Sequence, residues 1–169
     1  QSQGWKLDFK KFRLYLKNKY GVEKAYLFIG MVPGNEQLYS HLSLAGYQLV
    51  FKPTVAYVEN GKPTMKGNVD AELVLYAAAK VYDEYDKAII ISGDGDFACL
   101  HEYLIERQKL LHIMVPNVRF SKLLRSRLKY IVRIDQLEQK MQYKPYKNQP
   151  TRSVETLGGA CEMSRSSGQ

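Results

Sequence analysis

Cysteine is scarce in this chain of 169 residues, with two in all, Cys99 and Cys161. They stand far apart, one on an expected helix and one in a polar tail, which leaves neither a disulfide framework nor zinc-ligand spacing. The histidines, His41, His101 and His112, have no metal-ligand spacing either, and core or surface positions are expected for all three. No apolar run approaches the roughly 20 residues that span a bilayer, and no charged-then-apolar leader opens the chain. A cytoplasmic address with no membrane partner is the default. Internal repeats and nucleophilic Ser or Cys arrangements are absent as well. Acidic charge is in deficit, with 17 Asp plus Glu against 25 Lys plus Arg, a net charge of +8 and a pI near 9.4. That balance favours a polyanionic partner or an anionic surface, although a generically basic protein would carry it too.

What is present suits one α/β domain and a short appendage. Asp8 to Lys19 reads as an amphipathic helix, with Phe9, Phe12, Tyr15 and Leu16 on one side and Lys10, Lys11, Arg13 and Lys17 on the other. Strands are expected at Ala25 to Gly30, Gln48 to Lys52, Lys87 to Ile91, Leu110 to Val115 and Tyr130 to Ile134, and a loop or small hairpin turning at Asn60-Gly61 between Thr54 and Pro63. Helices are expected at Gln37 to Ala45, at Val69 to Tyr82 behind Asn68 as cap, at Asp96 to Gln108, and briefly at Ser121 to Arg127. Strands alternating with helices imply parallel βαβ units in a three-layer α/β/α sandwich with a mainly parallel, Rossmann-like sheet. The domain is expected to cover residues 1–143. From Lys144 to Gln169 the composition shifts to Pro, Gly, Ser and Thr, and a disordered tail is expected.

The most informative stretch is Ser92-Gly93-Asp94-Gly95-Asp96-Phe97, directly after the apolar run Lys87 to Ile91. It sets two carboxylates at the carboxyl end of a buried strand, where open α/β sheets bind ligands. One Asp there is an ordinary helix cap worth about 1 kcal/mol; two, flanked by Gly, ask for a hard divalent cation. Gly93-x-Gly95-x-x-Ala98 also matches a dinucleotide fingerprint, but two carboxylates inside that loop would repel the pyrophosphate it exists to bind. A phosphatase or phosphotransferase site would need Thr or Val after the acid pair, and Phe97 stands there. Asp70 opens another helix at the same expected edge and either favours the helix dipole by tenths of a kcal/mol or joins the pair; Glu72 is expected at the surface. Arg119, Lys122, Arg125, Arg127, Lys129 and Arg133, with Phe120 and Tyr130 among them, form a basic segment. It is either a solvated face or, beside an acidic metal site, a surface that positions phosphates, with Lys66 facing it.

Lys66-Gly67-Asn68-Val69-Asp70-Ala71-Glu72-Leu73-Val74-Leu75, followed by Tyr85 through Phe97, resembles the NYN domain of the PIN-like nuclease superfamily over roughly Trp5 to Ile134. The resemblance implies a PIN-like fold and a metal-dependent endoribonuclease. Asp70, Asp94 and Asp96 match its catalytic and metal-holding acids for Mg²⁺ or Mn²⁺, and RNA, single-stranded, is the partner, with Lys66, Arg119, Lys122 and Arg125 on the phosphates. Two departures stand out. Family members open with a strand ending in Asp, whereas this chain starts at Gln1, so the first strand is expected to be missing and the isolated chain to be poorly stable and inactive. Tyr76 also occupies a position where many relatives carry an acid, which favours the alternative of a non-catalytic RNA-binding or assembly module. A groove or a forced closure is then expected between the strands at Ala25 to Ile29 and Lys87 to Ile91.

Overall fold

The computed structural model describes residues 4–53, 55–59, 62–66, 69–144 and 161–166. Helix α1 (Phe9–Tyr20) starts where the Asp8 carboxylate accepts the Lys11 amide at 3.0 Å, and stops at Gly21, whose φ of 67° lets its amide return to the Lys17 carbonyl. The apolar stripe Phe12 and Leu16 is fully buried, as the spacing predicts. Strand β1 (Val22–Met31) runs longer than the apolar core of its sequence, because Val22 already packs beneath α1. Helix α2 (Glu36–Leu44) leads to β2 (Gln48–Pro53), and β3 (Val55–Glu59) pairs antiparallel with β4 (Lys62–Lys66) as the expected hairpin. The turn residues Asn60-Gly61 and the expected cap Asn68 lie outside the described residues.

Helix α3 (Asp70–Leu75) does not continue unbroken to Tyr82. It widens into a π-helical turn at Tyr76–Lys80, with the Val81 amide reaching the Tyr76 carbonyl, and ends in a single 3-10 turn at Tyr82–Glu84. Tyr76 uses that turn to lay its ring against Tyr26 and Phe28, at centroid distances of 5.8 and 5.3 Å. Strand β5 (Lys87–Ile91) follows, then a 3-10 turn at Gly95–Phe97, helix α4 (Ala98–Glu106) and β6 (Leu110–Val115). A kinked 3-10 segment, Lys122–Tyr130, stands where a short helix was expected; it leads to β7 (Ile131–Arg133) and the single helical turn α5 (Glu138–Met141).

The strands form one six-stranded sheet in the order β2-β1-β8-β5-β6-β7, where β8 is Cys161–Ser166. Pairings β1–β2, β5–β6 and β6–β7 are parallel. Two apolar clusters cover its faces. One gathers Phe28, Leu73, Ala77, Ile90, Phe97, Leu100 and Leu104 beneath α3 and α4; the other gathers Phe12, Leu16, Leu27, Ile89, Ile91 and Met114 beneath α1. Helices therefore lie on both faces of a mainly parallel sheet, the three-layer α/β arrangement that alternation implied.

The centre of the sheet differs from expectation. Between β1 and β5 there is neither a groove nor a closure: β8 runs there antiparallel to both, with Leu27 and Ile91 in register with Glu162, and Tyr26 and Ile90 with Met163. The tail expected to be disordered thus supplies a strand. The physical reason is that two facing strand edges leave amides and carbonyls to be satisfied, and any extended backbone can satisfy them. A polar composition does not forbid that role.

Candidate acidic site at the carboxyl edge

In this order the sheet reverses direction of growth between β1 and β5, and a crevice at that switch point, beyond the carboxyl ends, is the favoured ligand position in such folds. The carboxyl end of β5 carries the acid pair. Ser92 Oγ accepts the Asp94 amide at 3.1 Å, and Asp94 Oδ1 accepts the Asp96 amide at 3.0 Å. Two nested turns thus reverse the chain within a few residues and start α4, leaving both carboxylates exposed. Asp94 caps this turn, as the bland reading required, yet one oxygen suffices for that bond.

The glycines of the turn have a packing reason. A Cβ on Gly95 would run into the Ser121 hydroxyl and come within 2.9 Å of Leu123 Cδ1, while one on Gly93 would meet Pro116 Cδ at 3.3 Å. What presses on them is the start of the basic segment. Its Ser121 amide donates to the Gly93 carbonyl at 2.9 Å, and the Ser121 hydroxyl in turn accepts the Leu123 amide at 3.3 Å. Ser121 is therefore the residue that fastens cations to acids, where the sequence predicts only the start of a short helix. The signal available for more was slight: two glycines around an acid imply a close neighbour without naming it.

The basic segment separates into two groups. Arg133 is held by Asp135 at 3.0 and 2.6 Å, which raises the guanidinium pKa and lowers that of the carboxyl. Arg127 donates to the Leu123 carbonyl at 3.1 Å and lies 3.6 Å from Glu102. Lys129 stands 5.0 Å from the centroid of the Tyr130 ring. Arg119, Lys122 and Arg125 are exposed, and no carboxylate among the described residues pairs with them. Their neighbours Val118, Leu123 and Leu128 are exposed apolar side chains, each more than 60% accessible, so this face offers both cations and flat apolar surface.

Asp70 begins α3 and is half-buried. The first turn of α3 stands at the same edge, because Glu72 pairs at 3.0 Å with Lys52, itself in register with Gly30 near the end of β1. Glu72 is thereby a structural ion-pair partner rather than a free surface acid. Among the described residues, however, no group of three or more His, Cys, Asp or Glu is close enough to hold a metal ion. Asp70 thus shares the edge with Asp94 and Asp96 without joining them. Lys66 ends β4, opposite Val55, and Tyr76 is packed on Tyr26 and Phe28, away from any acid cluster.

His101 is fully buried on α4, with neither ring nitrogen bonded among the described residues; burial, then the Arg127 charge, push its pKa down to about 4. It is a neutral core histidine. His112 is likewise shifted down, chiefly by burial, and stacks edge-on to Tyr20 at 5.0 Å. Cys99 is exposed on α4. Among the described residues no helix is long and apolar enough to cross a membrane.

Comparison with known proteins adds three findings. Among solved structures, the crystal structure of a protein of unknown function from Vibrio parahaemolyticus matches with a TM-score of 0.55 and 25% identity, over 77% of this chain and 80% of that one. Nothing among the curated proteins matches. The family model of the NYN domain matches residues 1–135, the stretch that holds β1 to β7, the acid turn and the basic segment, and the chain accordingly belongs to the NYN domain family within the PIN-like nuclease superfamily.

Proposed function

We propose that this protein is a divalent-metal-dependent endoribonuclease acting on single-stranded RNA. The observation that carries the reading is the exposed Asp94 and Asp96 pair on a turn fastened, through Ser121, to Arg119, Lys122 and Arg125, with which no carboxylate among the described residues pairs. Acids alone would repel a phosphodiester, and cations alone would only bind one. Side by side they hold a phosphate and present carboxylates to it.

Mg²⁺ is commonly held by one or two carboxylates, with water and substrate phosphate completing its octahedron. Asp94 and Asp96 fit that mode, and Asp70 stands at the same edge as a further oxygen donor for Mg²⁺ or Mn²⁺. When bound, such an ion lowers the pKa of a water and stabilises charge on the scissile phosphate. The chain's own residues do the rest. Arg119, Lys122 and Arg125 draw in and orient the RNA backbone, Lys66 adds a further cation for it, and the second Asp94 oxygen, not used in the turn, positions the attacking water. Exposed Leu123 and Val118 give bases a surface to rest on.

The alternative, a non-catalytic RNA-binding or assembly module, draws on two specific observations: the lack of a three-acid cluster among the described residues, and Tyr76 committed to the core. One experiment separates the two. Cleavage of single-stranded RNA that requires Mg²⁺ or Mn²⁺, stops with EDTA and is lost in Asp94→Asn/Asp96→Asn supports the nuclease. Salt-sensitive binding without turnover under any metal condition selects the module.

A further inference from the structure

On the face of the sheet opposite α3 and α4, helix α1 buries Phe12 and Leu16 and turns a second stripe outward. Lys11, Leu14, Asn18 and Lys19 recur along it beside the half-buried Tyr15, which also packs on the core of that face, and with Lys140 of α5 these residues line a shallow cavity of about 370 Å³. No acid lines this cavity. Leu14 is 56% exposed, unusually for a leucine beside a concave wall, so the site combines an apolar floor and an aromatic ring with three ammonium groups. Such a combination suits neither an acidic peptide, which brings no planar apolar group by necessity, nor a neutral metabolite.

The lysines are arranged differently from the other cations of α1. Arg13 is spent on structure, donating to the carbonyls of Gly46, Val22 and Glu23. Lys11 is anchored, with Nζ on the Gln142 carbonyl at 3.0 Å and Asp8 at 3.5 Å, and so holds α5 against α1 while its charge stays at the rim. Lys19 donates to the Tyr15 hydroxyl at 2.9 Å and lies over the Tyr15 and Tyr20 rings at 5.3 and 5.2 Å. Those tyrosine contacts raise its pKa, so it remains fully charged. Lys140 is exposed on α5 and pairs with no carboxylate among the described residues.

We propose that the cavity between α1 and α5 is an accessory site for the RNA strand, in which Lys11, Lys19 and Lys140 take up backbone phosphate and Leu14 with Tyr15 receives a base. Cations tracking a backbone, interleaved with apolar and aromatic surface for bases, is the physical pattern of single-strand binding. The inference rests on the proposed RNA substrate and deepens it: the site adds affinity for long strands at a distance from the acid pair, and takes no part in bond cleavage.

The test uses the whole chain with Lys19→Ala/Lys140→Ala, leaving Lys11 in place because it holds the Gln142 carbonyl, and with Lys140→Gln alone as a variant that disturbs no contact. Fluorescence anisotropy of a long single-stranded RNA is measured across a salt series, with cleavage followed at saturating RNA. The double variant is expected to bind about fivefold more weakly and to flatten the slope of log affinity against log salt by about 1.4, the equivalent of two lost phosphates. Lys140→Gln should give about half that flattening, and turnover at saturation should stay unchanged for both. Unaltered affinity and slope, while Arg119→Ala/Lys122→Ala still weakens binding, would overturn the accessory site and leave the proposed nuclease standing. Wild-type protein that binds no RNA would overturn both. Wild-type protein that binds anionic vesicles through the same lysines, with RNA affinity indifferent to them, would overturn the RNA assignment in favour of a membrane surface.

Discussion

The turn after β5 and the start of α3 each bring an aspartate to the carboxyl edge, yet they are built unlike one another. The first is gripped twice: from inside by Ser92 Oγ and Asp94 Oδ1, and from outside by Ser121 on the Gly93 carbonyl, with no room for a Cβ at Gly95. The second has Val69 at its cap position, which offers no side-chain oxygen to the helix, and its first-turn Glu72 is engaged by Lys52. A carboxylate is positioned only as well as the backbone beneath it. The difference teaches that the turn carrying Asp94 and Asp96 is preorganised, whereas the start of α3 that carries Asp70 is held by fewer contacts of its own.

The largest effect should come from replacing the preorganised pair. Asp94→Asn/Asp96→Asn is expected to lower RNA cleavage by about 10²–10³-fold, the usual loss when a fixed electrostatic group is removed. Its melting temperature should hardly move, because an Asn oxygen can still accept the Asp96-position amide. Asp70→Asn should cost only about tenfold, consistent with the fewer contacts that hold the start of α3. Equal losses in the two proteins, measured as kcat at saturating RNA, would break the distinction.

Next in size is acid sensitivity on the α4 side. His101 holds a pKa of about 4 in the fold against an ordinary 6.5. As pH falls below 6.5 the unfolded chain takes up a proton that the folded one refuses, so stability is lost progressively until about pH 4 and then no further. The whole loss is about 3 kcal/mol. Urea denaturation at several pH values should find it, and His101→Leu should remove most of the slope in that window. A slope unchanged in the variant would place the acid sensitivity elsewhere.

Gly95→Ala should destabilise by about 1–3 kcal/mol, the ordinary range for overpacking, as Ser121 and Leu123 are pushed from the turn. RNA affinity should fall with it, because the cations move too. Thermal melting read alongside RNA binding checks this, and an Ala tolerated without loss in either would mean that the acid turn is no more tightly held than α3. The smallest effect belongs to the cations. Arg119→Ala/Lys122→Ala/Arg125→Ala should leave stability within about 0.5 kcal/mol and make the salt dependence of RNA binding shallower by about 2 in slope. An unchanged slope would return these residues to a solvated face.

Much of this protein was determined by its sequence alone, wherever the decisive interactions are local. The run Lys87 to Ile91 became β5 with those same ends, and Leu110 to Val115 became β6, because β-branched and apolar runs bounded by turn residues can bury both faces only as inner strands. The helix over Asp8 to Lys19 and the acid turn itself rest on contacts within a few residues, and the sequence predicts each. The spacing of Asp70 from Asp94 and Asp96 carried the family resemblance, which the NYN match over residues 1–135 bears out.

Only the tertiary structure decided three things. It placed Cys161–Ser166 between β1 and β5, since backbone pairing is nearly indifferent to side chains and a polar segment carries no periodicity to betray it. It left Asp70 outside any group of three acids among the described residues, since which acids meet at a sheet edge depends on how the elements pack, which no spacing along the chain records. It also sorted the basic residues, tying Arg127 and Arg133 to Glu102 and Asp135 and leaving Arg119, Lys122 and Arg125 exposed. Charge is written in the sequence, but whether a charge is paired depends on partners brought close by the fold.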